Sequence, residues 1–221
     1  WRRASTTDGK PMSAYELAGE FYLLPTTGGA FHAVSSPDDS PTRRLLLALL
    51  RHRSSPRVDT ESLCGWLGTS DDQAALAILH RAQSLAWVEG YTEARDVPGF
   101  GVGQELHQLL PYLSSTGKGL IVDWNGLSLA SAGVDDETAA TLSALSADLI
   151  AVQERHASRL SENLGLATHG WAAVDAYGSS RIGAWPLYVG KERLMLVLLG
   201  EPQLNSSKFL AMTWVLINRY G

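Results

Sequence analysis

The chain has 221 residues, an apolar fraction of 45% and a formal net charge of −5 at pH 7, which is typical of a globular protein with one large or two small domains. Charge is spread evenly, with 10 basic and 12 acidic side chains in residues 1–102 and 8 and 11 in residues 103–221; this disfavours a nucleic-acid footprint or a polybasic membrane anchor. The single cysteine, Cys64, excludes an intramolecular disulfide, and no apolar run approaches the roughly 20 residues that span a bilayer, so we expect a cytoplasmic protein.

The N-terminal residues predict a tail followed by a hairpin. Residues 1–19 are mostly polar, with a short helical turn expected at 14–19. Residues 20–24 and 30–34 are apolar or aromatic, and the segment 25–29 between them contains proline and glycines, which favour turns. The pattern therefore predicts two paired strands at the start of the first domain.

Two helices are predicted next. Residues 42–52 carry leucines at helical spacing, with Ser40 or Thr42 as the N-cap. Residues 59–67 form a second, shorter helical pattern that ends at Gly68. Cys64 lies within this second helix, where we expect it to be a small buried hydrophobic residue.

A third helix is predicted over residues 71–84, with Ser70 and Gln73 forming a capping box. Three helices followed by an extended segment resemble a winged helix, and together with the preceding hairpin they resemble, more weakly, the chaperone-like domains of peptide-modifying systems. A DNA-binding winged helix places its third helix in the major groove. Asp71 and Asp72 at its start would face phosphates, so we expect a protein-docking or intramolecular module here rather than a DNA reader.

Residues 96–103 are rich in glycine and proline and predict the boundary between a domain at 20–98 and a second domain at 104–221. Proteolysis is expected to nick there and release two folded fragments. The glycines at 99–103 lack the spacing and the strand–helix context of a dinucleotide loop. Residues 115–119 likewise lack the glycine spacing and the hydroxyl residue of a Walker loop, and we expect them to lead from a helix into a strand.

The second half predicts a helix at 104–114, a hairpin at 119–134 around Asn125-Gly126, and a helix at 135–164. Strands at 171–177, 181–189 and 193–199 and a helix at 205–218 follow. The order α-β-β-α-β-β-β-α is satisfied by one five-stranded antiparallel sheet with helices packed on it. The predicted fold class is therefore α+β.

This element order, with the hairpin sequence GLIVDWNGLSLASAG, resembles the roadblock family of dynein light chains and bacterial GTPase regulators over residues 104–220. The resemblance implies a roadblock-like α/β sandwich in a bacterial, non-enzymatic, dimeric scaffold or regulator. Members of the family bind small Ras-like GTPases or serve as light-chain adaptors. A transcription regulator, with a winged helix for DNA and the roadblock-like domain for dimerisation or ligand sensing, is the second interpretation, and a chaperone-like peptide binder is the third.

Residues that could carry catalysis or bind a metal form no recognisable pattern. No GxSxG elbow surrounds a serine, and nothing in the sequence pairs Asp123 with Asp175 as acid and base. The histidines show neither HxH nor HxxxH spacing; they are His32, His52, His80, His107, His156 and His169. We therefore expect no enzyme activity, no cofactor and no metal site.

The long helix at 135–164 carries two apolar stripes. One contains leucines and is formed by Leu142, Leu145, Leu149, Val152, His156 and Leu160. The other contains small residues, and if only one stripe covers the sheet, the other is open to a second copy of the chain. A single wide core-facing stripe is the alternative. With the strand at 171–177 as a candidate sheet edge, the predicted dimer interface is Ala140, Ala144, Ala147, Ala151, Trp171 and Val174.

Overall fold

The computed structural model describes residues 15–97, 104–164 and 170–221. These residues divide into two compact units, the first formed by 15–33 and 38–97 and the second by 34–37, 104–164 and 170–221. Residues 98–103 of the predicted boundary lie outside the described residues, so the domain limits and the hinge stay predictions.

The first unit contains a two-stranded antiparallel sheet and helices. The segment before the first strand is not helical over residues 15–19, so the predicted short helical turn is wrong there. The elements in chain order are β1 Tyr22–Pro25, α1 Thr27–Val34, α2 Pro41–Arg51, α3 Thr60–Leu67, α4 Asp72–Ser84 and β2 Val88–Tyr91.

The predicted strand at residues 30–34 is wrong, because these residues belong to α1. The Thr26 hydroxyl accepts the Gly29 N–H over 3.2 Å and so caps the helix start. A Cβ on Gly29 would come within 1.9 Å of the Trp87 carbonyl oxygen, and the His32 ring stacks on Trp87 at 3.9 Å between ring centroids. The partner of β1 is therefore β2, more than sixty residues away, with Tyr22 opposite Tyr91.

The helices α2, α3 and α4 occur where the sequence places them. Ser40 caps α2 by accepting the Arg43 N–H over 3.2 Å, and Gly68 ends α3 with a left-handed φ of 65°. The predicted capping box of α4 is wrong, because the N-cap is Asp71, whose carboxylate accepts N–H groups of Gln73 and Ala74 over 2.9 and 3.1 Å. The winged-helix interpretation of this unit stays a prediction.

The second unit has the predicted mixed order of helices and strands, with all five strands antiparallel. The order of strands across the sheet is β4-β3-β7-β6-β5. The elements are α5 Glu105–Leu109 with a 3-10 turn at Leu110–Leu113, β3 Lys118–Asp123, β4 Ser128–Ala132, α6 Asp136–Leu164, β5 Trp171–Val174, β6 Ser180–Val189, β7 Glu192–Leu199 and α7 Ser207–Tyr220.

The sheet of the second unit is buried on both faces of its central strands. Alternate residues of β3 and β7 point to opposite faces. One face packs against Leu142 and Ile150 of α6, and it presents Leu120, Val122, Met195 and Val197. The other face presents Ile121, Leu194, Leu196 and Leu198, all buried, on the side where α5, the 3-10 turn and α7 pack. In the described ranges, no helix combines the length and apolarity needed to cross a membrane.

Candidate interaction surface

The side of α6 that packs on the sheet differs from both predicted stripes. Of the leucine stripe only Leu142 is fully buried, while the side chain of Leu145 is 42% exposed and that of Val152 37%. A core-facing line takes its place, and it contains polar side chains. Its members are Ala139, Leu142, Ser143, Ser146, Ile150 and Gln153.

The two predicted stripes flank this buried line on opposite sides of α6, because each residue advances a helix by about 100°. A Cβ on Gly126 would lie 3.6 Å from the Cβ of Ala147, so the alanine flank faces the β3–β4 turn. Leu145 and Leu149 instead face β5 and β6. Ala140, Ala144 and Ala151 are exposed and Ala147 is half-buried.

A groove of 220 Å³, which we call the β5 groove, lies between the leucine flank of α6 and the β5 side of the sheet. Leu145 and Leu149 form one wall. α6 packs mainly across β3, β4 and β7, and the part of the sheet formed by β5 and β6 is the floor. The remaining lining residues are Ser146 of α6, Trp171, Ala172 and Ala173 of β5, Ile182, Gly183 and Ala184 of β6, and Val197 of β7.

One hydrogen bond joins the two sides of this groove. The indole N–H of Trp171 donates to the side-chain oxygen of Gln153 over 3.2 Å. Gln153 is only 8% exposed, so its amide is satisfied in part by the edge strand. Gln153 is not among the residues that the sequence singles out, because a polar residue between two apolar helix stripes gives no distinct signal for burial.

The two edges of the sheet differ. Beside β4, the His107 ring donates from Nδ1 to the carbonyl oxygen of Ser131 over 2.8 Å, so α5 covers that edge. On the outer side of β5 no strand pairs within the described residues, which confirms the prediction of β5 as an edge strand. Trp171 is half-buried and Val174 is 61% exposed on this strand. The apolar groove and an open strand edge therefore adjoin.

Asp123 and Asp175 each organise a hairpin turn. The Asp123 carboxylate accepts the N–H groups of Asn125 and Leu127 over 2.9 and 2.8 Å. The Asp175 carboxylate accepts those of Tyr177 and Ser179 over 2.9 and 3.0 Å. The strand register places the two turns at opposite ends of the sheet, so the structure does not bring these carboxylates together.

The remaining candidates have structural partners. Cys64 is half-buried rather than fully buried, and its thiol donates to the Asp72 carboxylate over 3.4 Å. Burial first, and then this carboxylate, raise the pKa of the Cys64 thiol. His169 lies outside the described residues, and in the part of the chain that the structure describes no group of three or more His, Cys, Asp or Glu side chains is placed to hold a metal ion.

The loop at residues 115–119 is fastened to the end of β7. The Ser115 N–H donates to the Glu201 carbonyl, and the Ser115 hydroxyl accepts the Glu201 N–H, both over 2.9 Å. The Thr116 hydroxyl donates to the Leu199 carbonyl over 2.7 Å. These contacts give the loop a structural role at the entry to β3.

Comparison with known proteins gives matches to solved structures over about half of the chain. One is the crystal structure of a Roadblock/LC7 domain from Streptomyces avermitilis, with 14% identity and a TM-score of 0.36 over 53% of this chain and 92% of that chain. Another is Myxococcus xanthus MglB, with 16% identity and a TM-score of 0.34 over 56% and 92%. No protein-family model and no curated protein matches the sequence.

Proposed function

We propose that this chain is a non-enzymatic scaffold or regulator that forms a homodimer along β5 and binds partner proteins. The observation that carries the proposal is the outer edge of β5, which no strand among the described residues pairs with, next to the apolar β5 groove. An unpaired strand edge is a template for another strand. An exposed apolar surface beside it favours the same partner over water.

A two-fold axis beside β5 satisfies both features at once. Two copies of β5 would pair antiparallel and join their sheets into one. The same operation brings the leucine flank of each α6 towards its counterpart, so Leu145, Leu149 and Val152 lose exposed apolar surface. Trp171 and Val174 belong to this interface. The alanine flank, which lies on the other side of α6, remains available to a different partner under this proposal.

Adjacent residues of α6 provide a matched test. Leu145→Glu and Ala144→Glu place the same charge at two exposed positions on opposite flanks. We expect the unmutated chain to sediment as a dimer at micromolar concentration, Leu145→Glu as a folded monomer, and Ala144→Glu as a dimer. Circular dichroism checks that both variants fold.

Each other outcome has a definite meaning. A monomeric unmutated chain ends the dimer proposal. A monomer from Ala144→Glu together with a dimer from Leu145→Glu moves the interface to the alanine flank, with Ala140, Ala147 and Ala151. Loss of the dimer in both variants means that the interface includes both the leucine flank and the alanine flank of α6.

The proposed partner class is a small Ras-like GTPase, and it follows from the roadblock resemblance of the element order and the hairpin. The test is a binding measurement with Ras-like GTPases of the same organism, loaded with GDP or with a non-hydrolysable GTP analogue. We expect affinity that depends on the nucleotide and that survives Leu145→Glu if the partner uses the alanine flank. Absence of binding in both nucleotide states removes GTPases from the proposal and leaves the scaffold.

A further inference from the structure

The outer face of α4 holds a backbone segment of the same chain. The Tyr15 N–H donates to the side-chain oxygen of Gln73 over 2.9 Å, and the Gln73 side-chain amide donates to the Tyr15 carbonyl over 3.2 Å. This pair of bonds satisfies both polar groups of one residue, as a neighbouring strand would in a sheet. Recognition of this kind reads an extended backbone and is independent of the side chain.

A second contact selects the side chain. The ring of Tyr15 lies against His80, with 4.8 Å between centroids and 34° between ring planes. Gln73 and His80 are seven residues apart, which is about two helical turns, so they share one face of α4. Ala77 lies between them, half-buried and small. The face therefore combines a backbone clamp, a shallow apolar stretch and an aromatic contact.

Gln73 is available for this contact because Asp71 caps the helix. In a capping box the glutamine side chain would turn back to the cap residue. Here the Asp71 carboxylate accepts the N–H groups at the start of α4. The side-chain amide of the exposed Gln73 therefore points away from the helix start and bonds Tyr15. Holding an exposed, flexible side chain in one rotamer costs conformational entropy, which the two hydrogen bonds and the ring contact offset.

We propose that the outer face of α4 is a docking site for an extended peptide that presents an aromatic side chain, and that Tyr15 occupies it in cis. The site lies within the first unit and does not depend on the dimer of the second. Displacement of the segment that contains Tyr15 makes the face available to the same kind of peptide from a partner.

The test uses the full chain and an acetylated, fluorescently labelled peptide of residues 15–21, YELAGEF. In the unmutated chain the tethered segment competes at a high effective concentration. We expect the Tyr15→Pro chain, which lacks both the N–H that Gln73 accepts and the aromatic ring, to bind the peptide at least tenfold more tightly than the unmutated chain. Adding Gln73→Ala reduces this binding at least fivefold. As a matched control, adding Gln83→Ala, which is the same change further along α4, leaves the peptide affinity unaltered.

A second measurement follows the cis contact directly. Hydrogen exchange at the Tyr15 amide is expected to accelerate in Gln73→Ala and to stay unchanged in Gln83→Ala and Tyr15→Phe. The proposal is overturned if the peptide binds no variant, or if its binding is indifferent to Gln73. It is also overturned if Tyr15→Pro gains salt-dependent affinity for a random DNA duplex in place of the peptide, since the segment would then shield a nucleic-acid surface.

Discussion

The indole nitrogen of Trp171 lies 3.2 Å from the side-chain oxygen of Gln153 and donates a hydrogen bond to it. This bond links the edge strand β5 to α6 across one side of the β5 groove. The antiparallel pairing with β6 places β5 in the sheet, and the Trp171–Gln153 bond adds a direct link between this edge strand and the helix.

Replacement of Gln153 by alanine tests how much this hydrogen bond contributes to stability. Gln153 is 8% exposed, and its loss leaves the Trp171 N–H without this acceptor, so we expect a loss of about 1–3 kcal/mol in the free energy of unfolding. Urea denaturation at one fixed protein concentration measures it. Gln108→Ala, at an exposed position of α5, should change stability by less than about 0.5 kcal/mol. Equal effects of the two changes would contradict the assigned role.

Replacement of two glycines by alanine should change the stability of the protein in opposite directions. A Cβ on Gly119 in β3 would lie 2.8 Å from both the Val197 carbonyl oxygen and a Leu198 methyl group, so Gly119→Ala is expected to cost about 1–3 kcal/mol of stability. Gly65 in α3 has no atom within 4 Å of such a Cβ, and Gly65→Ala should add about 0.4–1 kcal/mol. We expect the denaturation midpoint of Gly119→Ala to lie below that of the unmutated chain and the midpoint of Gly65→Ala to lie above it. Shifts of both midpoints in the same direction would contradict this prediction.

The start of α6 is expected to be sensitive to acid. Asp135 accepts the Thr138 N–H over 2.7 Å, and this hydrogen bond lowers the pKa of the Asp135 carboxyl below its usual 3.8. A lowered folded-state pKa gives stability that is present above the unfolded pKa and is lost as the pH falls through the folded value. We therefore expect the first turn of α6 to fray only below pH 3.8.

Carbon-detected titration of the Asp135 carboxyl by nuclear magnetic resonance measures this pKa, and the Thr138 amide shift should follow the same midpoint. Asp135→Asn keeps a side-chain acceptor but cannot titrate, so the Thr138 amide of that variant should lose the transition. A midpoint at or above 3.8 in the unmutated chain would show that the cap is not formed.

The thiol of Cys64 is expected to react slowly with alkylating reagents. Burial and the Asp72 carboxylate raise its pKa, and the thiolate is the reactive species. Asp72→Asn removes the negative charge, so the variant should alkylate severalfold faster with iodoacetamide at pH 8. Asp71→Asn keeps the charge at 72 and should accelerate the reaction less. Unchanged rates in Asp72→Asn would leave burial as the only cause.

The amino-acid sequence determined the order of elements in the second unit because the deciding signals are local. The hairpin at 119–134 follows from apolar runs interrupted by Asp123 to Gly126, and the turn indeed places Gly126 at a left-handed φ of 84°. The helix α6 follows from an acidic start and 29 residues of helical periodicity. The five strands were predictable from short apolar runs, and the β3–β4, β5–β6 and β6–β7 pairs from short connections. The β3–β7 pair joins strands that lie far apart in the sequence.

Tertiary contacts decided what neighbouring residues could not. Residues 30–34 suit a strand or a helix, and the close approach of the Trp87 carbonyl to Gly29 selects α1. Gln73 matched a capping box by spacing, but Asp71 is closer to the helix start and leaves the Gln73 amide to Tyr15. Periodicity located two apolar stripes on α6, yet which side faces the sheet depends on residues far apart in sequence. The β5 groove exists because α6 packs mainly across β3, β4 and β7 and leaves a space above β5 and β6. This placement is set by packing rather than by any local pattern.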